Sequence, residues 1–217
     1  MCEMLQVAAN DGAVLRYVCK GSKGPPVVLI HGWSASHRSF DLNLDVLSQR
    51  CVVYAPDLRF HGESDKPAWG FHVARLAADL HALLGAWELD APTIVGTSLG
   101  CAIIWSYVEL YGCSGIGKCV FVDQAPSQWR LPDWTLGSKG IYDAQSLENI
   151  QAALRGGMAT FADGNAQCCL TKPVPEALLQ TLSAETQKCD PEQLAKLMAD
   201  HAPKDWRPLL PRLSCPC

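Results

Sequence analysis

The stretch Gly96-Thr97-Ser98-Leu99-Gly100 sets one hydroxyl between two glycines. A serine hydroxyl becomes a useful nucleophile when a neighbouring base takes its proton, and the chemistry it suits is acyl transfer. It attacks a carbonyl carbon, and negative charge develops on the carbonyl oxygen. The letters G-x-S-x-G arise often by chance, so their flanks carry the weight. Ile94-Val95 closes an apolar run just before the motif, and Cys101-Ala102-Ile103-Ile104-Trp105 opens a helical pattern just after it. A sharp strand-to-helix turn holds its serine in strained backbone geometry, and glycines two positions either side remove side chains that would collide there. The hydroxyl is then exposed, with the following helix aiming its N-terminus at the same spot.

The elements that must position this turn follow from periodicity. Short apolar runs alternate with helical patterns, which predicts βαβ units and a mostly parallel sheet. Residues 5–8 and 14–19 flank Asn10-Asp11-Gly12 and predict an antiparallel hairpin. Buried strands are predicted over 26–30, 51–55, 92–95 and 118–122. Phe40, Leu44 and Leu47 mark one helix, and the stripe Val73, Leu76, Ala77, Leu80, Leu83 and Leu84 marks another over about 70–84. A third begins near Leu99. After about Ala125, proline and tryptophan become frequent, no strand pattern appears, and short helices take over as an inserted lid. One lid helix has a strong start, with Asp190 as N-cap, Pro191 in the first turn and Gln193 at the capping-box position.

Three motifs stand at the ends of these strands in order: His31-Gly32-Trp33, the run from Asp57 to Ser64, and Gly96-Thr97-Ser98-Leu99-Gly100. With Val122-Asp123-Gln124-Ala125-Pro126 after the next strand, the chain resembles the α/β-hydrolase superfamily, closest to its capped esterase and non-haem haloperoxidase-like branch. The resemblance implies an α/β fold with a mostly parallel sheet of about six strands, flanking helices and a helical lid. It divides the chain into a core over 1–125, a cap over 126–205 and a return segment over 206–217. It makes Ser98 the nucleophile, with the backbone N–H groups of Trp33 and Leu99 as the oxyanion hole, and Asp123 a candidate for the acid. Epoxide hydrolases of this fold carry aspartate at the elbow, so Ser98 points to carboxylic esters. Trp129 and Trp134, with Trp33, are expected to line an apolar acyl pocket. His31 and His61 are expected to organise loops, His201 to lie on the surface, and His37, His72 and His81 to sit on solvated helix faces.

In this fold the catalytic residues run in the order serine, acid, histidine, with the histidine after an eighth strand. Residues 204–213 resemble the approach to a seventh strand, and the sequence then ends at Cys217. The expectation is therefore a C-terminally truncated hydrolase lacking the last two strands. Two functional readings follow: a serine esterase acting through Ser98 on a small apolar ester, or an inactive ligand-binding or regulatory relative without its base. Lys118–Val122 becomes a sheet edge rich in β-formers, which predicts self-association.

Composition narrows the alternatives. A chain of 217 residues with 48% apolar content can build one well-buried core. The net charge of -4, with scattered basic residues, offers no face for nucleic acid. The start, with Met1 and Cys2, lacks the pattern of a secretory signal, and no apolar run is long enough to span a bilayer, so a cytoplasmic protein is expected. Eleven cysteines form neither a disulfide scaffold nor a spaced zinc motif. Cys19, Cys51, Cys101 and Cys119 are expected to act as small buried hydrophobes. No metal and no cofactor are implied.

Overall fold

The computed structural model describes residues 3–170 and 172–217; the first two positions read above lie outside the described residues. Six strands form one sheet: β1 (Met4–Ala8), β2 (Val14–Lys20), β3 (Pro26–Ile30), β4 (Val52–Pro56), β5 (Thr93–Thr97) and β6 (Lys118–Val122). Their order across the sheet is β1-β2-β4-β3-β5-β6. β1 and β2 form the hairpin, with Ala8 opposite Val14, and β2 runs antiparallel to β4. From β4 to β6 every pairing is parallel. This is the mostly parallel α/β-hydrolase arrangement implied by the resemblance.

Alternation along β3 shows why these strands read as unbroken apolar runs. Val28 and Ile30 point to one face, packing with Leu76, Leu80 and Ile103, while Val27 and Leu29 point to the other, packing with Phe40 and Leu44. Both faces are covered, so no polar residue is called for at alternate positions. The first face carries α2 (Val73–Trp87) and α3 (Leu99–Tyr111), and the second carries α1 (Asp41–Leu47). Every residue of α3 from Leu99 to Val108 is buried, so that helix lacks the polar stripe of a surface helix. Cys101 and Cys119 are fully buried as expected, whereas Cys19 and Cys51 are partly open.

Beyond β6 come α4 (Ala144–Arg155), α5 (Met158–Cys168), α6 (Glu176–Gln187) and α7 (Pro191–His201). The two ends of this helical segment meet, since Trp206 N–H donates to the Pro126 carbonyl at 2.8 Å and Ser127 bridges Asp205. Asp190 caps α7 by accepting from the Gln193 N–H at 2.9 Å. The Gln193 side chain does not close the capping box; it donates instead to the carbonyls of Lys66 and Pro67, tying α7 to the core. Among the described residues no helix is long and apolar enough to cross a membrane.

β6 lies at the edge of the sheet. Cys119 and Phe121 pack inward on the core, while Val120 and Val122 stay 43% and 42% exposed on the opposite face. The N–H of Cys119 is covered, donating to the Pro216 carbonyl at 2.9 Å.

Two histidines depart from their expected places. His201 is 2% exposed, because it sits on the inner side of α7 beside Leu197 and Met198 rather than on the surface. His37 is buried where a short 3-10 turn (His37–Phe40) brings its Nδ1 to 2.8 Å from the Asp57 carboxylate. His72 and His81 are exposed, as expected.

Candidate active site

Ser98 occupies the junction of β5 and α3 with φ 52° and ψ -118°, a backbone conformation that L-residues rarely adopt. The neighbouring glycines are required by close backbone approaches. A Cβ on Gly96 would lie 2.6 Å from the carbonyl carbon of Gly100, and one on Gly100 would lie 2.4 Å from the Ile30 carbonyl oxygen. The first turn of α3 therefore packs directly on the end of β3, which only glycine permits.

That approach also brings the strand-exit loop to the serine. A Cβ on Gly32 would stand 3.2 Å from Ser98 Cβ and 3.8 Å from its Oγ. The backbone following His31 thus runs alongside the hydroxyl. Leu99, the first residue of α3, has no intrahelical acceptor for its N–H, as at any helix start.

The loop is held from below by two histidines. His31 Nε2 accepts from the Leu58 N–H at 3.0 Å, and His61 Nε2 accepts from the Ser34 N–H at 3.0 Å. Each ring turns its Nδ1 to a carbonyl, His31 to Gly32 at 2.7 Å and His61 to Arg59 at 2.8 Å, so each Nδ1 carries the proton. Burial pushes the His31 imidazole below its usual range, and burial aided by neighbouring His31 takes His61 down to about 3. Asp57 completes this floor by accepting from the His37 N–H at 2.8 Å and the Glu63 N–H at 2.9 Å. Burial alone would raise its carboxyl, but these bonds and the contact with His37 hold it at about 2. Gly62, at φ 48°, leaves room for that carboxylate, since a Cβ there would lie 2.3 Å from it.

A cavity of about 510 Å³ opens above Ser98. Ser98, Trp33 and Asp123 line it together, with Phe40 from the core and Leu178 and Leu182 from α6. The Trp33 ring meets Phe161 edge-on at 5.7 Å, and its Nε1 donates to the Leu194 carbonyl, so this residue joins the strand-exit loop to α5 and α7. Asp123 follows β6 at φ 51° and is exposed.

Trp129 and Trp134 stand away from this cavity, contrary to the pocket role expected for them. Trp129 packs with Ile141, Met198 and Ala202 beneath α7. Trp134 donates to the Ser127 carbonyl at 3.1 Å and stacks under the Arg207 guanidinium. Both are used where the helical segment rejoins the core.

The hydroxyl's partner was not foreseen. Ser98 Oγ donates to Gln124 Oε1 at 3.4 Å, and the Gln124 amide in turn donates to the Ala125 carbonyl. Gln124 follows Asp123 in the segment after β6, and its sequence position gave no sign that a neutral amide would face the serine. Among the described residues, no imidazole is hydrogen-bonded to Ser98 or Asp123.

Comparison with known proteins bears on the family and the fold. The chain is 35% identical over 122 residues to the non-heme chloroperoxidase of Streptomyces lividans, covering 55% of this chain and 44% of that protein. It is 33% identical over 100 residues to the soluble epoxide hydrolase of Corynebacterium sp. (strain C12), covering 46% and 35%. The matches thus span less than half the length of these curated relatives. Among solved structures, the esterase EaEST of Exiguobacterium antarcticum superimposes with a TM-score of 0.91 at 22% identity, over 98% of this chain and 78% of that one. Its likeness concerns the fold. Relatives of this kind include esterases, epoxide hydrolases and haloperoxidases. A family model described as the alpha/beta hydrolase fold matches residues 25–173, and with the strand order and the elbow at Ser98 the chain belongs to that family.

Proposed function

We propose that this protein is a serine hydrolase that cleaves small apolar carboxylic esters through Ser98. The observation that carries the reading is the strained φ of 52° at Ser98, on a bend that lines a cavity beside the Gly32 backbone. Ser98 attacks the ester carbonyl, the N–H groups of Leu99 and Trp33 hold the developing oxyanion, and an acyl-enzyme forms that water resolves. Asp123, in the same cavity, serves as the acid that orients a base. Phe40, Leu178 and Leu182 give the acyl chain an apolar bed, and residues 126–205 act as the cap. The exposed Val120 and Val122 face supports self-association along β6.

A second reading has its own observation. The Ser98 hydroxyl donates to a neutral amide, that of Gln124, and among the described residues no basic group is hydrogen-bonded to it. On that reading the chain holds an apolar ligand without turning it over.

A fluorophosphonate probe separates the two, because only an activated serine is labelled quickly. Labelling within minutes that disappears in Ser98→Ala supports the hydrolase. Wild-type chain that stays unlabelled while still binding an apolar ester analogue supports the ligand-binding protein.

A further inference from the structure

The residue that follows Trp33 is gripped by helices far from it in sequence. Ser34 is buried and takes φ 61°, a conformation uncommon for a residue with a side chain, which persists where the surroundings over-determine it. Its N–H donates to His61 Nε2 in the core. Its carbonyl accepts from Thr186 Oγ1 on α6 at 2.8 Å, and its hydroxyl oxygen accepts from Asn165 Nδ2 on α5 at 3.0 Å. Thr186 is buried as well, so its bond forms in a region from which water is excluded and is correspondingly strong.

We propose that Thr186 and Asn165 are positioning residues for the oxyanion hole, holding Ser34 and through it setting the direction of the Trp33 N–H. The inference rests on the reading of Ser98 as nucleophile and Trp33 as donor. The Trp33 N–H lies between two tethered residues. Before it, the Gly32 carbonyl takes the proton of His31 Nδ1; after it stands Ser34 with its three bonds. Without Thr186 and Asn165 the described bonds leave Ser34 held by its N–H to His61, and its backbone can relax out of positive φ. That relaxation turns the peptide units before it and carries the Trp33 amide with them. A donor to a developing oxyanion works only when it is aimed at the place that oxygen will occupy, about 3 Å away, so a small turn costs rate.

The same two helices wall the cavity. Leu178 and Leu182 share α6 with Thr186, and Ala166 neighbours Asn165 on α5. The surfaces that receive the acyl chain and the ties that set the donor therefore move together. An acyl group that displaces α5 or α6 disturbs the donor too, so chain shape is read in the rate of acyl transfer as well as in binding.

The test labels the full 217-residue chain with an alkyl fluorophosphonate and separates the limiting rate at Ser98 from the half-saturating probe concentration. In Thr186→Val and Asn165→Leu the limiting rate is expected to fall about tenfold while the half-saturating concentration stays within about twofold. Thr186→Ser keeps the hydroxyl and restores the rate. Thr181→Val is the control, since the Thr181 hydroxyl is bonded to the Ala177 carbonyl of its own helix, and it leaves the rate unchanged. Amide exchange over residues 31–36, which needs no labelling, should quicken in Thr186→Val and Asn165→Leu but not in Thr186→Ser. Variants on two helices keep the result readable should one of them not fold. Wild-type chain that escapes labelling sinks the hydrolase reading, and exchange then decides the positioning by itself. Exchange over 31–36 that neither apolar variant alters overturns the proposal, as does a labelled wild type whose limiting rate survives both changes.

Discussion

The N–H of Ser98 donates to the carbonyl of Val122 at 2.9 Å, so the nucleophile's own backbone is fastened to the last residue of the edge strand. Thr97 already pairs with Val122 in the β5–β6 ladder, and this bond carries the ladder one step into the turn. The strained conformation at Ser98 is therefore held from β6 on one side and from Gly100, packed on Ile30, on the other.

Gly100→Ala is expected to destabilise the chain by about 1–3 kcal/mol, because the added methyl meets a backbone carbonyl that cannot swing aside. Urea unfolding measures the loss, and probe labelling of Ser98 should fall with it. A variant whose midpoint matches the wild type would contradict the packing of α3 on β3.

Arg59 is fully buried, donating from Nε and Nη2 to the two oxygens of Asp79, both at 2.7 Å, and from Nη2 to Asp11 at 2.9 Å. Arg59→Ala leaves Asp79 buried with Arg75, 3.1 Å away, as its remaining basic partner among the described residues. The expected cost is about 3–5 kcal/mol. Arg59→Ala together with Asp79→Ala should be less damaging than the sum of the two single changes, as a double-mutant cycle will show.

Stability should fall as pH drops below about 6.5. His31, His61 and His201 are buried neutral, with His61 lowered to about 3 and His201 to about 4 by burial, so the unfolded chain takes up protons that the folded chain refuses. Folded pKa values below unfolded ones mean full stability above the unfolded value and a decline beneath it, about 1.4 kcal/mol per pH unit for each histidine. Asp57, held at about 2, extends the decline at still lower pH. His201→Leu should reduce the slope between pH 6 and 4 by roughly one histidine's share. Denaturant midpoints across this range that do not change would refute the assignment of neutral buried rings.

Sedimentation velocity of the wild-type chain should show species larger than a monomer that grow with concentration, since β6 is an edge with two exposed valines. Val122→Lys should shift the distribution toward monomer. Wild type that stays monomeric at high concentration would rule out pairing through this edge.

The sheet was legible because buried parallel strands must be apolar on both faces, and β3 through β6 show it as uninterrupted runs. The elbow was legible because the turn itself demands Gly96, whose Cβ would meet Gly100 four residues on, although Gly100 answers to Ile30 on a distant strand. Side-chain destinations were not. His37 reads as a polar residue on a helix face until the turn closes on Asp57, twenty positions away. Trp129 and Trp134 look like pocket aromatics in composition, but the chain uses them at the junction where its helices return to the core. The meeting of Cys119 with Cys215, their sulfurs 3.6 Å apart, depends on where residues 213–217 come to rest, which no periodicity encodes.

His31 and His61 each reach across to the other's loop and take up one amide hydrogen, a crossed pair of struts. Because both rings are uncharged and saturated on each nitrogen, the segment carrying Trp33 acquires its shape when the chain folds. An incoming molecule would find the amides near Ser98 already set at fixed bearings, with little reorganisation left to perform. Affinity at this place should accordingly track how well a ligand matches a rigid outline, and loosening either strut should blunt that discrimination before it unfolds the protein.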